Sequence, residues 1–150
     1  MPSVRVLVVD DYIPFRQFVC SMLQKRPELH VIYEASDGLE AVQKAKELRP
    51  DLVLLDIGLP TLNGIEAARL IGGLASKSKI VFLSQESSAD VVREAFSIGA
   101  SGYVIKSDAG TELLATVDAV VQGKLFVGGE MAGHVPREGI DSQSRNGLQA

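Results

Sequence analysis

The stretch that most constrains the fold is a run of four aliphatic residues that leads directly into an acid and then into a loop. Residues 52–55 (LVLL) precede Asp56, and Gly58 and Pro60 follow shortly after it. An apolar run without polar alternation is typical of a parallel strand covered on both faces, and glycine and proline end such a strand. Asp56 is therefore predicted to stand at the carboxyl end of a central strand, where open α/β sheets bind their ligands.

The same alternation of an apolar strand with an amphipathic helix recurs along the chain. Strands are predicted at residues 4–9, 31–35, 52–56, 80–83 and 102–105, and each is followed by apolar residues at helical spacing. Regular alternation of this kind favours a parallel sheet with right-handed crossovers and helices on both faces. The expected fold is therefore α/β, a five-stranded (βα)5 three-layer sandwich.

Local signals mark several ends of these elements. Pro14 suits the first turn of one helix, and Ser88 is a candidate N-cap of another. Asp37 and Glu40 have the spacing of a capping box. The strand at residues 31–35 has some polar content, which predicts a position at the edge of the sheet.

The size and composition of the chain are those of one domain. Of the 150 residues, 46% are hydrophobic, enough for a sizeable core, and the domain is predicted to cover residues 1–123. Residues 124–150 are Gly-rich and polar, so we expect a mostly disordered linker or tail without an output domain. A net charge of -4 and the lack of long basic runs argue against nucleic-acid binding by this chain itself.

The cellular location is predicted from what the sequence lacks. No stretch approaches the roughly 20 apolar residues of a membrane span. The apolar run before Asp10 is too short for a signal peptide. Cys20 is the only cysteine, which fits a reducing compartment. We therefore expect a cytoplasmic protein that does not bind membranes.

Polar side chains follow the predicted strands at one edge of the sheet. Asp10 and Asp11 follow the first strand, Asp56 the third, Ser84 the fourth and Lys106 the fifth. Three converging carboxylates would repel one another unless a cation lay among them, and oxygen ligands of this kind suit Mg²⁺. A cation, an ammonium and a hydroxyl around one carboxylate predict a phosphoryl-transfer site, with Asp56 as the nucleophile that becomes an acyl phosphate.

In this order, these residues resemble a response-regulator receiver domain of two-component signalling, over about residues 3–123. The resemblance also includes the D-x-x-L-P motif from Asp56 to Pro60, Asn63-Gly64, and the segment from Tyr103 to Lys106. Residues 123–127 resemble the start of the linker in receivers that carry a LuxR-type helix-turn-helix domain. The resemblance implies a doubly wound, flavodoxin-like sheet with strand order 2-1-3-4-5.

The resemblance also implies the chemistry of the site. Asp56 would accept a phosphoryl group from the phosphohistidine of a sensor histidine kinase. Asp11, Asp56 and the backbone carbonyl of Gly58 would ligate Mg²⁺, with Asp10 acting largely through water. The domain would catalyse only its own phosphorylation and dephosphorylation, so it would not be an enzyme in the usual sense.

A switch is implied by the remaining residues of the motif. Lys106 would pair with the phosphoryl group, and Ser84 would hydrogen-bond it and draw its loop inward. Tyr103 would then turn into the space vacated, which changes the face formed by the fourth helix, the fifth strand and the fifth helix. The same face is a candidate homodimer surface.

Three further residues either depart from the pattern of the family or flank the site. Gln85 occupies a position that is usually small, so we expect it to narrow access and slow phosphoryl exchange. Glu86 and Gly58 flank the site and are expected to tune hydrolysis, in a direction that the sequence does not give.

Other functions stay open at this point. One is a receiver that acts only by protein interaction without phosphorylation, which the complete set of acids and the lysine disfavours. Another is a Mg²⁺-dependent aspartyl phosphatase. Enzymes of that kind resemble one another in having a second acid two residues after the nucleophile, and this chain has Gly58 at that position. The expected output is control of transcription through an output domain or partner outside this chain, and DNA would be contacted only through it. The chain is either a stand-alone receiver or a fragment of a DNA-binding regulator.

Overall fold

A computed structural model describes residues 2–74 and 77–127 of the chain, in which parallel strands alternate with helices. The strands are β1 (Val4–Val9), β2 (Leu29–Ala35), β3 (Leu52–Asp56), β4 (Lys79–Ser84), β5 (Gly102–Ile105) and β6 (Phe126–Val127). The helices are α1 (Ile13–Leu23), α2 (Gly38–Leu48), α3 (Gly64–Leu74), α4 (Ala89–Ser97) and α5 (Ala109–Val121), with a 3₁₀ turn at Lys106–Asp108. Among these, no helix has the length and apolar character that crossing a membrane requires.

The strand order of the sheet is β2-β1-β3-β4-β5-β6, and every pairing is parallel. This confirms the doubly wound five-stranded arrangement with order 2-1-3-4-5, and β2 lies at an edge as its polar content predicted. The sequence patterns did not predict β6, which pairs with the first two residues of β5. A two-residue strand is too short to show a period of its own. The predicted disorder of the tail concerns mainly residues 128–150, which lie outside the described residues.

The core consists of two apolar layers, one on each face of the sheet. Every residue of β3 is buried, as expected for a central strand covered on both sides. One layer joins the sheet to α2, α3 and α4, and its largest members on the strands are Leu7, Leu55, Phe82 and Tyr103. The other joins the sheet to α1 and α5 through Val6, Val8, Leu54, Leu83 and Val104. The helices therefore fix the strands without covering their carboxyl ends.

The predicted helix starts are found in the structure. Pro14 lies in the first turn of α1. The Ser88 hydroxyl accepts a hydrogen bond from Val91 N at 3.3 Å at the start of α4. Asp37 Oδ1 accepts from Glu40 N at 2.8 Å, and Glu40 Oε1 accepts from Ser36 N at 2.9 Å. The bonds to Ser88 and Asp37 satisfy backbone donors that the first turns of α4 and α2 leave unpaired, whereas Glu40 reaches back to Ser36, one residue before the N-cap.

The loop between β3 and α3 returns closely onto Asp56. Gly64 N donates a hydrogen bond to Ile57 O at 2.7 Å. A Cβ atom at Gly64 would lie 2.2 Å from Asp56 O, far inside contact distance. Only glycine therefore fits this position without moving the backbone that carries Asp56.

Replacing Gly64 with alanine is expected to destabilise the protein by about 1–3 kcal/mol, because the added methyl group overpacks the backbone of the Asp56 loop. The control is Gly72→Ala, also in α3, where an added Cβ atom meets nothing within 4 Å. This change should be neutral or stabilise by up to about 1 kcal/mol, since alanine is the better helix former. Urea unfolding of both variants measures the difference, and equal stabilities would contradict the close approach.

Candidate functional site

The predicted polar residues meet at the carboxyl edge of the sheet. Asp10 follows β1 directly, Asp56 ends β3, Ser84 ends β4 and Lys106 follows β5. Asp10, Asp56 and Ser84 are buried, whereas Asp11 is exposed to solvent. One carboxylate oxygen from each of Asp10, Asp11 and Asp56 lies within 4.8 Å of the others. The structure therefore brings together the acids that the sequence placed at strand ends.

The Lys106 ammonium lies between two of these carboxylates. Its Nζ atom is 2.7 Å from Asp10 Oδ2 and 3.5 Å from Asp56 Oδ2. The same atom lies over the ring of Phe15, 4.8 Å from the ring centroid. A largely buried ammonium needs a counter-charge, and the two carboxylates need a cation. Lys106 therefore offsets part of the negative charge of the cluster.

Asp56 is less acidic than an ordinary aspartate. Burial is the main cause that raises the pKa of its carboxyl group, and the charge of Asp10 adds to the effect. The ammonium of Lys106 and the N–H of Gly58, which donates to Asp56 Oδ1 at 3.2 Å, oppose this increase without cancelling it. The ionised form of Asp56, which a nucleophile requires, would gain stability from a further positive charge.

The oxygen atoms of the cluster suit a hard divalent cation. Asp10 Oδ2 is buried and has no hydrogen-bond partner among the described residues, because its close contact with Lys106 lacks hydrogen-bond geometry. This oxygen has an ion-pair partner in Lys106, but its hydrogen-bonding capacity is not filled by the described residues. Carboxylates that keep room for water are the ligands typical of Mg²⁺. The donor chemistry at this edge therefore fits a bound Mg²⁺.

The backbone of Glu86 connects Ser84 to Tyr103. Ser84 Oγ accepts a hydrogen bond from Glu86 N at 2.9 Å, and the Tyr103 hydroxyl donates to Glu86 O at 2.8 Å. The Tyr103 side chain is fully buried, and this burial raises the pKa of its hydroxyl. Tyr103 is predicted to turn into the space that Ser84 vacates after phosphorylation. The structure shows one buried position of its side chain, and the movement stays a prediction.

An open cleft of about 870 Å³ gives access to Asp56. Gln85 and Glu86 line it from the β4 side, and Gly58 lines it beside Asp56. Gln85 is exposed and is part of the lining of this cleft. Its predicted effect on access stays a prediction.

Two residues of α1 contribute to this site although the sequence patterns did not indicate it. The helical spacing of apolar residues indicates only that Phe15 packs against the core, which it does, and its ring also lies in the cleft beneath Lys106. Arg16 Nη1 donates a hydrogen bond to Asp10 O at 2.7 Å. The only signal in the sequence was the proximity of both residues to the acidic pair, which gives no direction for a side chain.

The model of the response regulator receiver domain family matches residues 6–118 of the chain. Among solved structures, a two-component response regulator of the LuxR family from Aurantimonas sp. SI85-9A1 is similar, with a TM-score of 0.82 and 32% identity. The alignment covers 88% of this chain and 94% of that one. The family model runs from within β1 to within α5 and includes all the strand-end residues described above.

Among curated relatives, the transcriptional regulatory protein LnrK of Bacillus subtilis is 35% identical over 90% of this chain and 61% of its own length. A protein-glutamate methylesterase/protein-glutamine glutaminase of Nocardioides sp. is 42% identical over 71% of this chain and 30% of its own length. The chain thus spans less than two thirds of these relatives. Their names describe different outputs, although the matched part is similar.

In the absence of a divalent cation, Asp56→Asn is expected to make the protein more stable near neutral pH. The folded state raises the pKa of Asp56 above the unfolded value of about 3.9, so folding costs free energy while this group is ionised. That cost disappears as the pH falls through the raised pKa, and the advantage of the variant should shrink with it.

Urea unfolding with a chelator, at neutral and at acidic pH, measures this difference. The control is Asp51→Asn at the opposite end of β3, whose carboxylate accepts a hydrogen bond from Arg5 N at 2.8 Å and should gain nothing from the change. A less stable Asp56→Asn variant at neutral pH would contradict the burial of a costly charge.

Proposed function

The chain belongs to the response regulator receiver domain family, and from that premise we propose that Asp56 accepts a phosphoryl group from the phosphohistidine of a sensor histidine kinase. The observation that carries the proposal is the cluster of Asp10, Asp11 and Asp56 with the Lys106 ammonium among them. The cleft above Asp56 is open, which gives a phosphodonor access to it. The chain would thus be a phosphorylation-controlled signalling domain of a two-component system.

The transfer itself requires little more than position and charge. A carboxylate oxygen of Asp56 would attack the phosphorus atom, so that a phosphorus–oxygen bond forms while the phosphorus–nitrogen bond breaks. The electron pair of the broken bond leaves with the imidazole nitrogen. Charge spreads over the three equatorial oxygens of the phosphoryl group in transit. Lys106 and the Ser84 hydroxyl stand at the neighbouring strand ends, where they would pair with these oxygens.

Mg²⁺ is the cofactor that the cluster would hold. Asp11, Asp56 and the backbone carbonyl of Gly58 would ligate the ion, and Asp10 would act largely through water. A bound Mg²⁺ supplies positive charge that lowers the repulsion among the carboxylates and offsets the charge on the phosphoryl oxygens. Asp10 meanwhile retains its contact with Lys106, which keeps the ammonium beside Asp56.

Phosphorylation would be transmitted through the backbone of Glu86. The hydrogen bond from Glu86 N leaves the Ser84 hydroxyl proton free, so Ser84 would donate it to a phosphoryl group on Asp56 and draw the loop after β4 inward. Tyr103 is bonded to the carbonyl group of the same residue, Glu86, and would respond to that movement. The change would reach the face formed by α4, β5 and α5. A local charge would in this way bias a two-state element.

Membership of the family also supports a proposal for the partners and the output, although in less detail than for the site. A sensor histidine kinase would be the phosphodonor, and α4, β5 and α5 would form the surface of a homodimer. The LuxR-family and LnrK relatives favour control of transcription as the output. DNA would be contacted through a domain or partner outside this chain.

The two other functions considered gain no support from the site. An aspartyl phosphatase needs an acid or base two residues after its nucleophile, and Gly58 has no side chain to supply one. A receiver that signals without phosphorylation would not need the complete set of Asp10, Asp11, Asp56 and Lys106. Phosphate transfer therefore remains the function that the geometry supports best.

Incubation with Mg²⁺ and acetyl phosphate is expected to add one phosphoryl group to the wild-type chain, measured by intact mass spectrometry. Asp56→Asn should not gain it, because the nucleophile is lost, and excess chelator should abolish the gain in the wild type. The control is Asp51→Asn, which keeps the site and removes an aspartate at the other end of β3. An equal gain in Asp56→Asn, or none in the wild type even with a cognate kinase, would refute the proposal.

A further inference from the structure

Arg16 is the residue that holds the backbone between the two acids of the metal cluster. Its Nη1 atom donates to Asp10 O at 2.7 Å, and its Nε atom donates to Glu34 Oε1 on β2 at 3.0 Å. Only 15% of the Arg16 side chain is exposed. A guanidinium is planar and rigid, so two bonds from adjacent nitrogens fix its orientation. Glu34 therefore aims the guanidinium at the carbonyl group of Asp10.

The orientation of Asp11 depends on this contact. Three hydrogen bonds hold Asp10 besides its ion pair with Lys106: its N donates to Ala35 O at 3.1 Å, its Oδ1 accepts from Tyr12 N at 2.8 Å and its O accepts from Arg16. Among the described residues, nothing forms a hydrogen bond or an ion pair with the carboxylate of Asp11. The position from which the Asp11 side chain leaves the backbone therefore depends on the plane of the peptide that joins it to Asp10, and the bond from Arg16 to the Asp10 carbonyl helps to fix that plane.

We propose that Arg16, tethered by Glu34, is a positioning residue that orients the Asp11 carboxylate toward the divalent cation of the site. This inference rests on the Mg²⁺ site of the proposed function. Arg16 would not touch the cation, and it would act only through the carbonyl group of Asp10. Its contribution should therefore appear in the affinity for Mg²⁺ and not in the phosphoryl-transfer step itself.

Because Arg16 is positively charged, a purely electrostatic role and a positioning role predict opposite changes in the affinity for Mg²⁺ when it is replaced. A positive charge near a cation site weakens cation binding through Coulomb repulsion. If Arg16 acted only through its charge, Arg16→Gln would bind Mg²⁺ more tightly, and the unpaired carboxylate of Glu34 would add to that gain. If Arg16 positions Asp11, the same substitution would bind Mg²⁺ more weakly.

The experiment is calorimetric titration of the full chain with Mg²⁺ alone, for the wild type, Arg16→Gln and Arg16→Lys. We expect the dissociation constant to rise about tenfold in both variants, the lower end of what loss of a supporting partner costs a metal site. Arg16→Lys keeps the charge but cannot form both bonds, so it carries the test if Arg16→Gln fails to fold.

The control is Arg26→Gln, which removes a guanidinium paired with Asp118 at 2.8 Å between the end of α1 and α5. Its affinity for Mg²⁺ should equal that of the wild type. In the Arg16 variants, saturating Mg²⁺ should restore the wild-type maximum rate of phosphorylation by acetyl phosphate.

Three results would overturn the inference. Unchanged or tighter Mg²⁺ binding in Arg16→Gln would show that the contact does not position Asp11. An equal loss in Arg26→Gln would show a general effect on stability. A wild type that binds no Mg²⁺ would refute the cation site of the proposed function and the inference with it. This result differs from failure of the inference alone, in which the wild type does bind Mg²⁺.

Discussion

The contact of Lys106 with Asp10 and Asp56 is the interaction on which the site depends. These residues come from the ends of β5, β1 and β3, so the contact joins strands that are not all neighbours in the sheet. It forms only because the order 2-1-3-4-5 brings these strand ends to the same edge. Without the ammonium, two buried carboxylates would face each other with no positive charge among the described residues to separate them. The arrangement of the strands therefore determines which charged groups meet in the site.

At the same edge of the sheet, hydrogen bonds connect the site directly to neighbouring strands. Ser84 and Tyr103 both bond to the backbone of Glu86, so a change at the end of β4 reaches β5 through one residue. Tyr103 is also the residue of β5 that pairs with Val127 of β6. A displaced Tyr103 would thus also alter its pairing with β6. On the other side of the site, Arg16 ties the acidic loop to β2.

The sequence predicts well what depends on topology alone. The apolar run before Asp56 indicates a central strand. Because the carboxyl ends of parallel strands lie at the same edge of the sheet, Asp10, Ser84 and Lys106 are then expected beside Asp56. It predicts poorly what depends on the direction of a side chain. Helical periodicity indicates correctly that Phe15 packs against the core, but it gives a face and not a contact, so it does not show that the ring also lies beneath Lys106. The Arg16–Glu34 pair and the two-residue strand β6 depend on partners distant in the sequence, which no local pattern shows.

The most direct test of the account is the chemical identity of the phosphorylated residue. After brief phosphorylation with Mg²⁺ and acetyl phosphate, reduction with borohydride converts an aspartyl phosphate into homoserine, and peptide mass mapping locates it. The account predicts homoserine at position 56 and at no other aspartate. Homoserine at Asp10 or Asp11, or a phosphoryl group that resists borohydride, would contradict it, because the carboxylate between Lys106 and the cleft would then not be the nucleophile.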